Sequence, residues 1–336
     1  MEMDSSNQLN CSNGTNSTCE RPKDHFGSFY SVYPMEQLIT LWVLFVCVIG
    51  GNVLVLLATC SARRRKPRMT FFVINLAVAD ILTGLVNILS NIIWRFTGEF
   101  LASDLVCRLV KYFQVVLLYA STYVLVSLSI DRYMAIVHPM KLFKGDRYSC
   151  CLIGLAWALA FLFSAPTLFL FHKKQLGNGE MQCWSDWPDD TFWTPYMTLV
   201  AFLIYFCPLM IMCVVYFFVV RKIWMKSKMT ANNQRDQTGG RTVFLHRGSI
   251  PRARVKAVKY SLLIVLAFIL CWSPYFIFDI LDNYKLLPDT DARDFAAIII
   301  HNLPALNSAI NPFIYCFSSP KLCQNFQYVT LLQIKY

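Results

Sequence analysis

Residues 38–60 read LITLWVLFVCVIGGNVLVLLATC, 23 consecutive residues without a charge. A hydrocarbon layer about 30 Å thick needs about 20 such residues at roughly 1.5 Å of helix each. This stretch alone predicts a membrane-spanning helix, over 37–60. Six further segments read as spans, at roughly 70–94, 106–131, 150–171, 195–220, 256–281 and 294–317. The predicted fold class is therefore an all-α membrane protein, a bundle of seven spans, here helices one to seven. The alternating segments of about 10 residues that mark a membrane β-barrel are not seen. Nor is an internal repeat of the transporter kind.

Composition agrees. Only 15% of residues are charged and 56% are apolar, against roughly 25% and 45–50% in soluble domains. The net charge of +11 invites a nucleic-acid partner, but a soluble protein could not cover so much apolar surface with so few charges. The placement of the charge gives another reading. With the polar tail 1–36 outside, the inner segments 61–69, 132–149, 221–259 and the residues after 317 hold 22 of the 31 basic residues. The outer segments hold 8, and Lys111 lies within helix three. Of the 20 acids, 16 are outside. Basic residues thus collect on the cytoplasmic side, as membrane insertion favours. The charge orients the chain, and no nucleic-acid partner is expected.

Three glycosylation sequons, at Asn10, Asn13 and Asn16, also place the tail outside. No secretory signal peptide is visible, so helix one is expected to act as the insertion signal. The predicted organisation is a glycosylated extracellular tail (1–36), a seven-span domain (37–317) and a short cytoplasmic tail carrying an eighth, amphipathic helix (318–336). Of 13 cysteines, most lie in spans and read as small buried apolar residues. Cys107 and Cys183 face the oxidising exterior, which predicts a disulfide tying the loop after helix four over the bundle mouth. Cys11 and Cys19 could form a second pair. Cys323, at the inner membrane face, is a candidate for palmitoylation.

The motifs are specific in combination. Helix three ends in Asp131-Arg132-Tyr133. Helix seven holds Asn311-Pro312-Phe313-Ile314-Tyr315, and helix six Cys271-Trp272-Ser273-Pro274. Helix one has Gly51-Asn52-Val53, helix two Leu76-Ala77-Val78-Ala79-Asp80, helix four Trp157, and helix five Pro208 with Tyr216. In this order, each in its own span, they resemble the rhodopsin-like G-protein-coupled receptors over essentially 36–328. The resemblance implies a multi-pass plasma-membrane receptor. No nucleophile–base pair or metal-spaced cluster suggests an enzyme.

Pro274 and Pro312 each remove a backbone hydrogen bond inside a span and kink it, which makes them candidate hinges. Asp80 is a carboxylate near mid-bilayer, where an unpaired acid is costly. It reads either as a hydrogen-bonded structural acid or as the sodium ligand that the family resemblance implies, with Ser121, Asn307 and Asn311. No other cofactor is expected. The resemblance also implies that Arg132 is held by Asp131 and released on activation toward Tyr216, Tyr315 and the G protein. Phe268, Trp272, Pro208 and Tyr133 complete the implied switch. Two positions depart from the family. Arg254 stands where helix six often carries an acid, so an ionic lock to Arg132 is not expected. Thr122 replaces an apolar residue beside Pro208 and Phe268.

Amine receptors carry an Asp in mid helix three. This chain has Gln114, with Lys111 one turn above, and a neutral amide cannot pair with an amine. The two together resemble the vasopressin and oxytocin receptor group, whose ligands are peptides. Lys111 alternatively snorkels to the outer interface. Asp279, Asp282, Asp289, Asp291 and Asp294 outnumber Lys285 and Arg293 around the outer ends of helices six and seven. Asp186, Asp189 and Asp190 flank Trp187 near Trp184. This is either a solvated acidic rim or a surface that steers and pairs a basic peptide. The expected peptide contacts are Asn87, Asn91, Lys111, Gln114, Trp187, Tyr275, Phe276, Asp279, Asp282 and Asn302.

The longer stretches Glu36–Phe45, Trp94–Phe100, Trp187–Asp190, Trp193–Thr198 and Asp279–Asn283 resemble one peptide receptor related to that group. They imply a basic neuropeptide agonist that inserts its N-terminal part, and coupling to Gq and Gs. The alternatives are a vasopressin- or oxytocin-like peptide receptor and, more distantly, a transporter or channel lined by Asp80 and Lys111. The inner loop 221–255 is basic and long enough for G-protein docking. After Tyr315, Ser318, Ser319 and Thr330 are the few phosphorylation acceptors, which weakens the case for arrestin binding through the tail. The ending Leu331–Tyr336 reads as a shortened or alternative C-terminus.

Overall fold

The computed structural model describes residues 34–60, 68–138, 146–175, 179–185, 190–235, 252–288 and 290–318. Asn10, Asn13, Asn16, Cys11, Cys19, Trp187, Cys323 and the expected eighth helix lie outside the described residues, as does the side chain of Arg254. Among the described residues, six helices are long and apolar enough to cross a membrane. They are Met35–Cys60 (helix one, starting at Pro34), Arg68–Thr97 (two), Asp104–Val137 (three), Arg147–Leu170 (four), Trp193–Lys226 (five, continuing to Arg235) and Val258–Asn283 (six, starting at Arg252). Helix seven comprises Asp291–Ile300 and Leu303–Ser318.

Three spans depart from regular helix where the chain forces it. Helix four breaks after Ser164, because Pro166 has no N–H to offer. Ala165 donates instead to Leu162 O at 3.2 Å, and Phe171 passes into a strand rather than ending the span at 171. Helix seven breaks at His301-Asn302, where Pro304 cannot donate one turn back. Asn302 therefore closes a tighter turn on Ile299 O at 3.1 Å. In helix five a π turn, Phe202–Phe206, precedes Cys207-Pro208. The Cys207 N–H closes it on Phe202 O, one residue before the proline that cannot donate.

Helix three is the axis of the bundle and packs on helices two, four, five and six. Its Tyr119, Val116, Val124 and Leu125 are fully buried, with Phe72, Leu76 and Phe268 against them. It runs on to Val137, so Asp131-Arg132-Tyr133 lies within the helix and not at its end. Helices one and seven approach closely through Gly51. A Cβ there would stand 2.9 Å from Pro312 Cγ, so the small residue is what seats helix one on the kink of helix seven.

The outer loop after helix four is a two-stranded antiparallel hairpin, β1 (Phe171–Gln175) and β2 (Met181–Ser185), pairing Lys173 with Cys183. A disulfide joins Cys183 to Cys107 of helix three. Further ties hold the hairpin across the bundle mouth. Lys173 N donates to Asp104 Oδ1 at 2.7 Å, Lys173 Nζ to Ala102 O at 2.8 Å, and Phe100 N to Met181 O at 2.8 Å.

Candidate ligand pocket and transmission core

Beneath the hairpin, the pocket floor is polar where helix two is locally underwound. The π turn Gly84–Ile88 inserts an extra residue into the helix, which turns the following side chains by about 100°. Ser90 thereby meets Gln114, whose Nε2 donates to Ser90 Oγ at 2.8 Å. Asn87 Nδ2 donates to the Gln114 carbonyl at 3.4 Å. Gln114 is buried, and its amide has a partner, as burial demands.

Lys111 does not snorkel free. Its ammonium sits 4.7 Å from the Trp94 ring centroid and 5.5 Å from that of Phe171 on β1, an attraction that strengthens as water is excluded. The Trp94 indole donates to Gln182 Oε1, and Gln182 Nε2 donates to Gly98 O at 2.8 Å. The hairpin thus orients the ring that holds Lys111. Neither Gln182 nor Phe171 stood out in the sequence, since only the hairpin register turns them toward helices two and three.

At the mouth, Asp282 is already engaged. Arg293 of helix seven reaches its Oδ1 through Nε at 2.8 Å and Nη2 at 2.5 Å. Among the described residues no cation lies within 4 Å of Asp279, one turn earlier. Asn283 links helices six and five: its Nδ2 donates to Asp279 O at 2.7 Å, and its Oδ1 accepts the Trp193 indole at 2.8 Å. Tyr275 lies edge-on to His301 at 5.5 Å. Phe276 is buried in an aromatic column instead, stacked on Trp272 at 5.6 Å and on Tyr205 at 5.2 Å. Asn302 turns its amide back to Ile298 O at 2.8 Å, and Asn91 is exposed.

Below the pocket a connected core runs inward. Phe268 and Trp272 are buried neighbours at 5.9 Å, and Tyr205 packs on Phe268 while its hydroxyl meets Ser273. Thr122 is buried beside this region with its hydroxyl unpartnered. Asp80 is fully buried. Ser308 Oγ donates to its Oδ1 at 2.7 Å, Asn311 Nδ2 to its Oδ2 at 2.8 Å, and Ser121 Oγ lies 3.4 Å from Oδ1. Asn307 does not donate to it. Asn307 Oδ1 is buried without a partner, as are Asn52 Oδ1 and Asn311 Oδ1. Asn52 Nδ2 ties helix one to helix seven through Ser308 O at 3.1 Å. Ser308 was missed in the sequence, although its i, i+3 spacing from Asn311 places the two on one helix face.

At the inner end Asp131 pairs with Arg132. Asp131 is fully buried, its other oxygen and Arg132 Nε are unpartnered, and the Tyr315 hydroxyl is buried without a partner too. Tyr133 packs edge-on to Phe218 of helix five at 6.4 Å. The Tyr216 hydroxyl is buried beside Ser129 and Ser261, with Arg132 near. A charged group inside a span, held by one neighbour and with the Tyr216 hydroxyl near it, can exchange partners when the helices around it move.

A disulfide-tethered hairpin over a polar-floored pocket, an aromatic column beneath it and a buried Asp–Arg pair at the inner end define a seven-helix receptor that signals across the membrane. The chain matches the family model "7 transmembrane receptor (rhodopsin family)" over residues 51–315 and belongs to that family. It is a multi-pass plasma-membrane receptor that couples to G proteins, and not an enzyme. It is similar to the neuropeptide S receptor of Mus musculus, 62% identical over 301 residues that cover 89% of this chain and 81% of that protein. The neuropeptide S receptor of Homo sapiens is 62% identical over 296 residues, covering 88% and 80%. The mesotocin receptor of Rhinella marina is 34% identical over 317 residues, covering 92% and 78%.

Proposed function

We propose that this receptor is activated by a basic neuropeptide of the neuropeptide S kind and signals through Gq and calcium and through Gs and cyclic AMP. The observation that carries the reading is 62% identity, over 89% of the chain, to receptors named for that peptide. The pocket is consistent with it: the floor offers neutral amides for backbone groups of a peptide, and Asp279 is an acid with no cation within 4 Å among the described residues. Peptide entry would be felt by the aromatic column at Tyr275 and Phe276 and passed through Trp272 and Phe268 to Pro208, Tyr216, Arg132 and Tyr315.

We assign Asp80 as the anchor of an allosteric sodium ion. A carboxylate and the hydroxyls of Ser121 and Ser308 meet there, oxygen donors of the kind a hard cation requires, and the side-chain oxygens of Asn52, Asn307 and Asn311 are buried without a hydrogen-bond partner. Such an ion would favour the inactive packing of helices three and seven.

Calcium and cyclic AMP responses of cells expressing the chain test the ligand. Neuropeptide S is expected to act at concentrations where vasopressin and oxytocin do not. The second reading, a vasopressin- or oxytocin-like ligand, has the Lys111–Gln114 pair and the 34% identity to the mesotocin receptor in its favour. A response to those peptides alone would establish it.

A further inference from the structure

We infer that the outward face of helix five at its inner end, formed by Arg221, Trp224 and Lys228, is a binding site for the phosphate headgroup of an anionic phospholipid of the cytoplasmic leaflet. Met210, Val214 and Phe217 are exposed along one side of helix five. Arg221, Trp224 and Lys228 continue that stripe, exposed in turn, at the same alternating spacing of four and three, so all six share one helix face. The other side is turned into the bundle. Met212, Tyr216 and Val219 are buried there, and Ile223 packs on the core. The three residues therefore stand where lipid stands. Their depth follows from the sequence. From Trp193 to Val220 the chain runs 28 residues without a charge, about 42 Å of helix. A bilayer with its headgroups is about 40–45 Å thick. Arg221 thus emerges at the inner phosphate layer, and Trp224 and Lys228 follow within two turns.

The charge on this face is not compensated by the protein. Among the described residues neither Arg221 nor Lys228 meets an acid within 4 Å. Helix five from Cys207 inward and helix six before Asp279 contain no acid at all. The Lys228 ammonium sits 4.1 Å from the Trp224 ring centroid, and Trp224 is 59% exposed. The ring holds the cation on the face and itself occupies the interfacial depth that suits an indole. Membrane insertion accounts for basic residues on the inner side, but it selects no helix face and asks for no aromatic ring. Two cations flanking an interfacial ring on the lipid side have phosphate as their complement. A guanidinium pairs phosphate oxygens through two parallel donors, and an ammonium meets them as a point charge. Helix six repeats the register, with exposed Lys259 leading Leu263, Leu266 and Leu270 at spacings of four, three and four. Its lipid-facing stripe also ends in a cation.

Native mass spectrometry of the purified full-length receptor tests the site. The probe is phosphatidylinositol bisphosphate, with phosphatidylcholine as the neutral reference. Wild type is expected to retain the anionic lipid in preference to the neutral one and to release it as salt is raised. Arg221→Gln/Lys228→Gln should bind it about tenfold or more weakly, and Trp224→Leu, which unseats Lys228, about threefold more weakly. Lys222→Gln/Lys226→Gln removes the same charge from the half-buried side of the same turns and should bind as wild type. Inositol trisphosphate, a soluble phosphate without acyl chains, should not displace the lipid at equal concentration. An equal loss in the two double variants would mean diffuse attraction and overturn the site, as would full displacement by inositol trisphosphate. Unchanged lipid binding in Arg221→Gln/Lys228→Gln overturns it outright. If G-protein turnover in detergent then falls in that variant, the face serves the G protein instead.

Discussion

The Ser308 hydroxyl donates to Asp80 Oδ1 at 2.7 Å, joining helix seven to helix two through a carboxylate with no solvent exposure. That contact, with Asn311 on the other oxygen, holds the middle of helix seven just above its Pro312 kink. Agonist affinity is expected to fall when sodium replaces N-methylglucamine at constant ionic strength. The effect should vanish in Asp80→Asn and weaken in Ser308→Ala. Equal affinity in both salts for the wild type would remove the ion from the account.

The Gly51–Pro312 approach predicts a contrast between adjacent glycines. Gly51→Ala puts a methyl 2.9 Å from a ring held inside the helix-seven kink, while at Gly50 nothing lies within 4 Å. Gly51→Ala should cost about 1–3 kcal/mol, the usual range for overpacking, and Gly50→Ala should cost nothing measurable. Thermal unfolding of the two variants in detergent decides it. Equal midpoints would mean that helix one slides without penalty.

Gln182 presents a different kind of coupling. Gln182→Leu strips the Trp94 indole of its acceptor and leaves a donor unpaired, which costs about 1–3 kcal/mol. The expected readout is a loss of peptide potency that Lys111→Met does not deepen, since both substitutions disable the same ammonium. Additive losses in the double variant would separate the two residues.

The Cys107–Cys183 bridge closes 76 residues of sequence. A free chain of that length would lose roughly 4 kcal/mol of loop-closure entropy, an upper bound here because helices three and four already confine the ends in the bilayer. Cys183→Ser should lower the unfolding midpoint and abolish high-affinity peptide binding. Dithiothreitol should do the same to the wild type and nothing further to the variant. Wild-type binding by Cys183→Ser would show that Asp104, Lys173 and Phe100 suffice to seat the hairpin.

Much of this receptor is written in its sequence. Apolar length decides where the chain spans, and the basic residues decide which way it faces. The bilayer leaves no other option for an uncharged run of 23 residues such as 38–60. The ordered motifs, from Gly51-Asn52 to Asn311-Pro312, are readable for the same reason: a polar or proline residue inside a span is costly and stands out. The partners are a tertiary matter. The π turn at Gly84–Ile88 has no proline to announce it, yet it sets which side chain of helix two meets Gln114. Asp279 and Asp282 carry the same charge in the sequence, and Arg293 arrives at only one of them. Gln182 becomes part of the pocket because β2 lies across its mouth. Hydropathy acts on single residues and local runs, so it survives in one dimension. Hydrogen bonds and ion pairs depend on distances of about 3 Å, and only the packing of seven helices decides those.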